Sequence, residues 1–276
     1  MRNEAKQSRD RSFYQSRDRS EAAEREGAVP SVKLFHGDCL RLLDRIPDGS
    51  IDMVLCDLPY GRLDCAWDKP IPLAPLWEQW KRVTKPNAAI VLFAMQSFAT
   101  DVINSNRKWF RYEWIWDKKY STNFGHAKRR PLRQHENILV FYRSRATYRP
   151  QGLRSYMIKR RGWVGVCSFT GGRFGTARYI QRHTGYPRSI LLSPKYSNAA
   201  PPGSKPAALC EYLIRTHTRP GETVLDNAMG LGSAGVAAVR SGRGFVGMEL
   251  DRDRFERARA NIRRAGGSGS LGGLRR

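Results

Sequence analysis

Thr223-Val224-Leu225-Asp226-Asn227-Ala228-Met229-Gly230-Leu231-Gly232-Ser233 is the stretch whose reading decides the fold. A short apolar strand, Thr223 to Asp226, ends on an acid, turns through glycines and enters a helix predicted from Ser233 to Ser241. Strand, glycine turn and helix in that order form the context in which a loop cradles a cofactor, because glycines let the backbone approach a ligand closely. A tight strand-to-helix turn with no ligand would look the same, so a second group is needed. Gly244 to Glu249 reads as the next strand, and Glu249, 23 positions beyond Asp226, ends it where an acid can grip ribose hydroxyls.

Outward from that stretch, strand and helix signals alternate. On the N-terminal side, Val32 to Phe35 is a short strand, Gly37-Asp38 a turn and Cys39 to Ile46 a helix broken by Pro47-Asp48-Gly49. Ile51 to Cys56 is apolar throughout apart from Asp52, as a buried parallel strand should be. Leu73 to Val83 is predicted helical, with Trp77 and Trp80 on a face shared with Leu73 and Leu76, which reads as core packing. Ala88 to Ala94 is a strand, Ser97 to Ser105 a helix, and Tyr112 to Asp117 and Asn137 to Tyr142 are strands. Ala207 to His217 is the helix that leads into Thr223, and Arg252 to Arg263 is the last helix. Strands separated by helices predict an α/β protein with a mostly parallel sheet wound on both faces. Residues 1–28 carry seven basic and six acidic residues and a direct repeat, Gln7 to Ser12 matched by Gln15 to Ser20; they read as a disordered polar tail. Residues 265–276 read as a flexible end.

The chain carries 49 basic and 25 acidic residues, a formal charge of +24, which favours a polyanionic partner. Its distribution is more informative. Between Glu136 and Glu211 there is no Asp or Glu, while that stretch carries thirteen Lys or Arg, from Arg143 to Lys205, and ten aromatic residues. A charge run is usually a solvated surface, but loss of every acid over such a span points to a nucleic-acid face. The block from 144 to 199 has no clear periodicity and is read as an inserted subdomain. No stretch approaches the roughly 18 unbroken apolar residues that span a bilayer, and Met1-Arg2-Asn3-Glu4 leads into charged sequence rather than an apolar signal, so no membrane partner and a cytoplasmic address are expected. The five cysteines form no CxxC pair and the five histidines show no metal spacing, so neither a disulfide framework nor a metal site is expected; Cys39 and Cys56 read as small core residues.

The glycine loop and Glu249 suit a dehydrogenase and a methyltransferase equally. Asp57-Leu58-Pro59-Tyr60-Gly61 discriminates. It closes the strand Ile51 to Cys56, at the edge where ligands bind in such sheets. An exocyclic amino group on a nucleic-acid base is a poor nucleophile because its lone pair is delocalised into the ring. A carboxylate and a backbone carbonyl that accept its two hydrogens localise that pair on nitrogen, and an adjacent aromatic can stack on an extruded base. Asp57, the carbonyl of Leu58 and Tyr60 supply those parts, although a Pro-Tyr turn after a strand is also an ordinary structural feature.

These residues resemble a known family. Asp57-Leu58-Pro59-Tyr60 resembles the Asp-Pro-Pro-Tyr box of the amino-methylating DNA methyltransferases, and Asp226 to Ser233 resembles their Asp-Pro-Phe-x-Gly-Ser-Gly-Thr loop. The order, catalytic box first and cofactor loop last, is that of the β class, a circular permutation of the shared fold. Ser204-Lys205-Pro206-Ala207-Ala208-Leu209 is similar to the family's Lys-Pro-led helix, whose turn lines the methionine end of the cofactor, and Gly37-Asp38 to its acidic turn near the cofactor's adenine. Trp114 to Lys118 and His135 to Phe141 resemble the paired strands around the target-base pocket, and Asn123 to Lys128 the loop that helps hold the extruded base. Leu58 stands for the usual first proline, Asn227-Ala228 for Pro-Phe, and Pro201-Pro202-Gly203 for a His-Pro-Thr lead-in.

The resemblance implies a circularly permuted methyltransferase domain over 29–143 and 200–264, seven strands in the order 3-2-1-4-5-7-6, and residues 144–199 as the target-recognition insert. It implies S-adenosylmethionine held by Asp38, Asp57, Lys205, Pro206, Asp226, Ala228, Gly230, Gly232, Ser233, Glu249 and Leu250, with Asp57, Leu58, Pro59 and Tyr60 as the catalytic box. The partner is then duplex DNA, in a bacterial or phage-encoded protein, and a homodimer is allowed because relatives in this class often dimerise. An Asp opening the box fits adenine N6 better than cytosine N4. Cytosine N4, an RNA substrate and a catalytically silent DNA-binding protein stay open as alternatives, with a dinucleotide-dependent dehydrogenase the most remote.

Overall fold

The structure is a computed structural model of the 276-residue chain and describes residues 31–61, 68–161, 165–166, 173–174, 178–192 and 204–266. The tail expected at 1–28, Cys65 and Cys167, Pro201-Pro202-Gly203 and residues 267–276 lie outside the described residues.

β1 (Val32–His36) turns at Gly37 into α1 (Cys39–Leu43), which Asp38 caps by accepting from the Leu40 N–H at 3.0 Å. α1 stops short of the predicted Ile46. The Arg82 guanidinium takes the carbonyls of Leu43 and Ile46, at 2.7 and 2.8 Å, and so ends the helix from outside. β2 (Ile51–Cys56), α2 (Leu73–Val83), β3 (Thr84–Ala94), α3 (Phe98–Ser105), β4 (Phe110–Thr122) and β5 (Arg133–Phe141) follow, with a single 3-10 turn at Phe124–His126 between the last two. Next come β6 (Arg154–Arg161), β7 (Gly165–Val166), β8 (Arg173–Phe174), β9 (Arg178–Thr184) and β10 (Ile190–Leu192). The chain then forms α4 (Ala207–His217), β11 (Thr223–Asp226), α5 (Ser233–Arg240), β12 (Gly244–Glu249) and α6 (Arg252–Ala265); α6 therefore takes in Ala265, expected to open the flexible end.

The main sheet has the order β1-β12-β11-β2-β3-β5-β4-β10. Counted from the strand before the glycine loop, its first seven positions read 3-2-1-4-5-7-6, as expected. All neighbours pair in parallel except β5, which is antiparallel to both β3 and β4. Side chains alternate across the sheet with a period of two. On β3, Ala89, Val91 and Phe93 face one core with Leu209 and Leu213 of α4 and Phe255 and Ile262 of α6; Ile90, Leu92 and Ala94 face the other with Leu76, Trp77 and Trp80 of α2. Asp52, the polar exception in β2, is buried but satisfied: it accepts from Lys85 Nζ at 2.6 Å and from the Thr223 N–H at 2.9 Å, tying together the starts of three strands. Among the described residues no helix is long and apolar enough to cross a membrane.

Two expectations change. The sheet has eight strands, because Ile190–Leu192, assigned to the insert, pairs in parallel with Ile115 to Asp117 of β4. The compact second unit is correspondingly shorter than 144–199, running from Pro150 to Arg188, with β6 antiparallel to β9 and β7 to β8. The first half of β6 left no periodic signal because Arg154, Ser155, Met157 and Ile158 are all exposed, so the pattern there has no buried side to mark. β10 is too short to show one at all. We expect Leu191→Ala, which empties a fully buried position, to cost about 2–5 kcal/mol in denaturant unfolding; a loss within the range of a surface substitution would detach β10 from the core.

Candidate active site

Strands β2, β11 and β12 run parallel and end at one edge. That edge brings Asp57, just after β2, together with Asp226 and Glu249, the last residues of β11 and β12. A cleft of about 880 Å³ opens there, lined by Asp57, Leu58, Pro59 and Tyr60 on one side and by Asp38, Asp226, Ala228, Gly230, Ser233, Glu249 and Leu250 on the other, with Lys205 also in its wall. Pro206 and Gly232 do not line it. They act through the backbone, as the residues that open α4 and α5; Gly232 holds φ +81°, where a side chain would be strained.

Asp57 is held by two groups. Lys205 Nζ donates to its Oδ2 at 2.5 Å and the Tyr60 hydroxyl to its Oδ1 at 2.9 Å. Lys205 also reaches Glu136 Oε2 at 3.3 Å, and the other oxygen of Glu136 is paired with Lys118. The ammonium of Lys205 lies 5.2 Å from the centre of the Phe93 ring. Two carboxylates and two ammoniums thus alternate in a largely buried row, Asp57, Lys205, Glu136, Lys118. Burial works to lower the pKa of Lys205, but the carboxylates of Asp57 and Glu136 outweigh it and hold it raised. Burial likewise opposes ionisation of Glu136, yet Lys205 and Lys118 keep its pKa low. For Asp57, burial and the charge of Glu136 prevail over Lys205 and Tyr60, so its proton affinity is raised. Tyr60 is fixed at both ends. Its ring rests 4.8 Å from that of Phe98, and its N–H donates to Asp68 Oδ1 at 2.8 Å.

Across the cleft, the glycine loop is tied to β12. Glu249 accepts from the Gly230 N–H at 2.8 Å and from the Asp251 N–H at 2.9 Å, and the Met229 N–H donates to the Met248 carbonyl at 2.9 Å. Asp226 is buried and accepts from the Ala228 N–H at 3.1 Å; burial pushes its carboxyl up to about 7, although that bond and the Cys56 thiol stabilise the charge. Asn227 occupies the place of the family's proline for a structural reason. Its Oδ1 accepts from buried Trp80 Nε1 at 3.0 Å, locking the loop to α2.

The strand-end acids and the box were legible in the sequence. Glu136, Lys118 and Asp68 were not singled out as site residues. Their one signal is an isolated charge in or beside an apolar strand or turn, and isolated charges are common on surfaces. Asn123, His126, Arg130 and Arg133, from the segment joining β4 to β5, also line the cleft. Among the described residues the thiols are no nucleophiles: burial pushes Cys39 up to about 11 and holds Cys56 and Cys210 raised as well.

A glycine loop and a strand-end acid box sharing the carboxyl edge of a permuted, doubly wound sheet define the methyltransferase class of α/β proteins. The family profile described as DNA methylase, of the N6/N4 methyltransferases, matches residues 51–260, and the chain belongs to that family. It is 25% identical over 234 residues to the DNA adenine methyltransferase YhdJ of Escherichia coli (strain K12), across 79% of this chain and 78% of that protein. Two solved structures share the fold. The M1.HpyAVI–SAM complex is 18% identical with a TM-score of 0.56, covering 83% of this chain and 97% of its own. The cytosine-N4-specific PvuII DNA methyltransferase is 16% identical with a TM-score of 0.59, covering 89% and 92%.

Asp226 makes stability depend on pH. Its carboxyl binds a proton up to about pH 7 when folded, against an ordinary value of 3.8. The folded state therefore holds the proton more tightly, and this contribution to stability is full below the unfolded value and is lost as pH rises through about 7. Asp226→Asn should thus gain melting temperature relative to the wild type as pH goes from 5 to 8; a difference independent of pH would show that the acid is not protonated in the fold.

Proposed function

We propose that the chain is a site-specific DNA methyltransferase that moves a methyl group from S-adenosylmethionine to the exocyclic N6 of adenine in duplex DNA, on a base turned out of the helix. The carrying observation is the Asp57 carboxylate, held by Lys205 and Tyr60 in the wall of the same cleft as the glycine loop.

The residues present fit S-adenosylmethionine. The cleft has the volume of a small-molecule site, and a Cβ on Gly230 would meet open space, so the loop backbone there is bare to a ligand. Asp226 and Glu249 suit the ribose hydroxyls of the ligand, and neither offers the positive charge that the pyrophosphate of a dinucleotide calls for. Glu249 would take the ribose, Asp38, Ala228 and Leu250 the adenine, Asp226, Gly230 and Ser233 the loop contacts, and Lys205 the methionine end, with Gly232 and Pro206 setting the turns that present these residues. Bound there, S-adenosylmethionine supplies an electrophilic methyl group on a sulfonium.

Asp57 and the Leu58 carbonyl accept the two amino hydrogens of the base, which localises the nitrogen lone pair. Tyr60 stacks on the base. Because the nitrogen becomes acidic once substituted, its proton leaves after transfer, and Asp57, with raised proton affinity, can take it. Adenine is favoured by the Asp at the head of the box and by the likeness to YhdJ. Cytosine N4 is the second reading, favoured by the fold shared with the PvuII enzyme. An RNA substrate or a silent DNA-binding protein has no observation of its own. Residues 144–199, centred on the compact unit Pro150–Arg188, are the proposed target-recognition segment, on the strength of their basic, acid-free composition.

Asp57→Ala should abolish methyl transfer to unmethylated duplex DNA while S-adenosylmethionine still binds by calorimetry; unchanged turnover would overturn the mechanism. Tyr60→Ala should lose about 1–3 kcal/mol of transition-state stabilisation through lost stacking, and Tyr60→Phe should lose less, both read from single-turnover rates. Single-molecule sequencing of DNA from cells expressing the protein would report the modified base and its context together, and N4-methylcytosine there would replace the adenine reading with the cytosine one.

A further inference from the structure

β5 is antiparallel to β3 and β4 is antiparallel to β5, so β4 runs with the central strands and ends at their carboxyl edge. The segment 123–132 that joins β4 to β5 therefore stands at the rim of the cleft, where Asn123, His126, Arg130 and Arg133 line the same wall as Asp57 and Tyr60. Asn123 adopts φ +70° and starts the 3-10 turn, closed by the Ala127 N–H donating to the Phe124 carbonyl at 3.0 Å. Phe124 does not line the cleft. It leaves 72% of its surface in solvent, the most of any large hydrophobic side chain among the described residues.

The surroundings of that phenylalanine are charged. From Lys118 to His135 the chain has no acid and six basic residues, of which Lys128, Arg129 and Arg130 are exposed on the same turn. An aromatic side chain displayed by a folded turn gains nothing from burial within its own chain. A basic rim with an outward apolar ring is complementary to a partner that is polyanionic outside and apolar within. Duplex DNA has that combination, and apolar side chains enter it by wedging into base steps.

Resting on the methyltransferase reading above, we propose that Phe124 is the wedge that enters the base stack as the target adenine leaves it for the cleft. The ring is carried by the turn whose Asn123, His126 and Arg130 line the pocket that receives the base. It covers the bases left without a stacking neighbour, while Lys128, Arg129 and Arg130 meet the flanking phosphates.

The test compares the wild type with Phe124→Ala and Phe124→Trp on two duplexes carrying the methylated site. One is fully matched, and the other has a mismatch opposite the target adenine, which loosens that base beforehand. Because Phe124 is exposed, both variants should keep the wild-type melting temperature and affinity for S-adenosylmethionine. Phe124→Ala should lose roughly ten- to a hundredfold in single-turnover rate on the matched duplex, yet stay within about threefold of the wild type on the mismatched one. Phe124→Trp should stay near the wild type on both, and 2-aminopurine at the target position should brighten on binding the wild type and less on binding Phe124→Ala. An unchanged rate on the matched duplex overturns the wedge, and so does an equal loss on both duplexes, which marks an ordinary contact with protein or phosphate. A wild type inert on both duplexes overturns the methyltransferase reading, and the wedge with it.

Discussion

The ammonium of Lys205 is where three remote segments meet. Asp57 follows β2, Glu136 lies in β5, and Lys205 stands just before α4, yet one nitrogen bridges the two carboxylates at 2.5 and 3.3 Å. Removing such ions from water costs several kcal/mol each, and only close opposite charges offset it. Lys118, paired to the far oxygen of Glu136, completes the balance. A row of this kind tolerates no missing member, because each loss strands an uncompensated charge. The position of Asp57 is therefore set by β5 and the start of α4 as well as by its own loop, and burial, aided by the charge of Glu136, raises its proton affinity against the pull of Lys205 and Tyr60.

The second anchor lies across the cleft. β11 is third in the strand order, with β12 and β1 on one side and β2 and β3 on the other. Crevices form at such switch points because successive crossovers leave the strand ends in opposite directions. Here the crevice is stiffened by hydrogen bonds from the loop to Glu249 and from Trp80 to Asn227. Asn227 departs from the family's proline, but the departure has a partner: a buried indole N–H needs an acceptor, and the Asn227 side chain provides it. The Asp57 carboxylate and the glycine loop line one cleft, yet they are held by separate interactions and can be disturbed separately.

What the sequence determined by itself was local. Continuous apolar runs marked the central strands, glycines and flanking acids marked the loop, and Asp57 to Tyr60 marked the box, because each signal lies within a dozen neighbouring residues. β6 left no signal where it begins, since Arg154, Ser155, Met157 and Ile158 are exposed with no buried face to alternate with, and β10 is three residues long. Only the tertiary structure decided which charges belong to the site. Lys205 and Asp57 are 148 positions apart, Trp80 and Asn227 147, and nothing in either local stretch names its partner. The same reason hid Glu136: a lone acid at the start of a strand reads as surface until folding buries it between two lysines, where its charge becomes a condition for the Asp57 carboxylate to stand where it does.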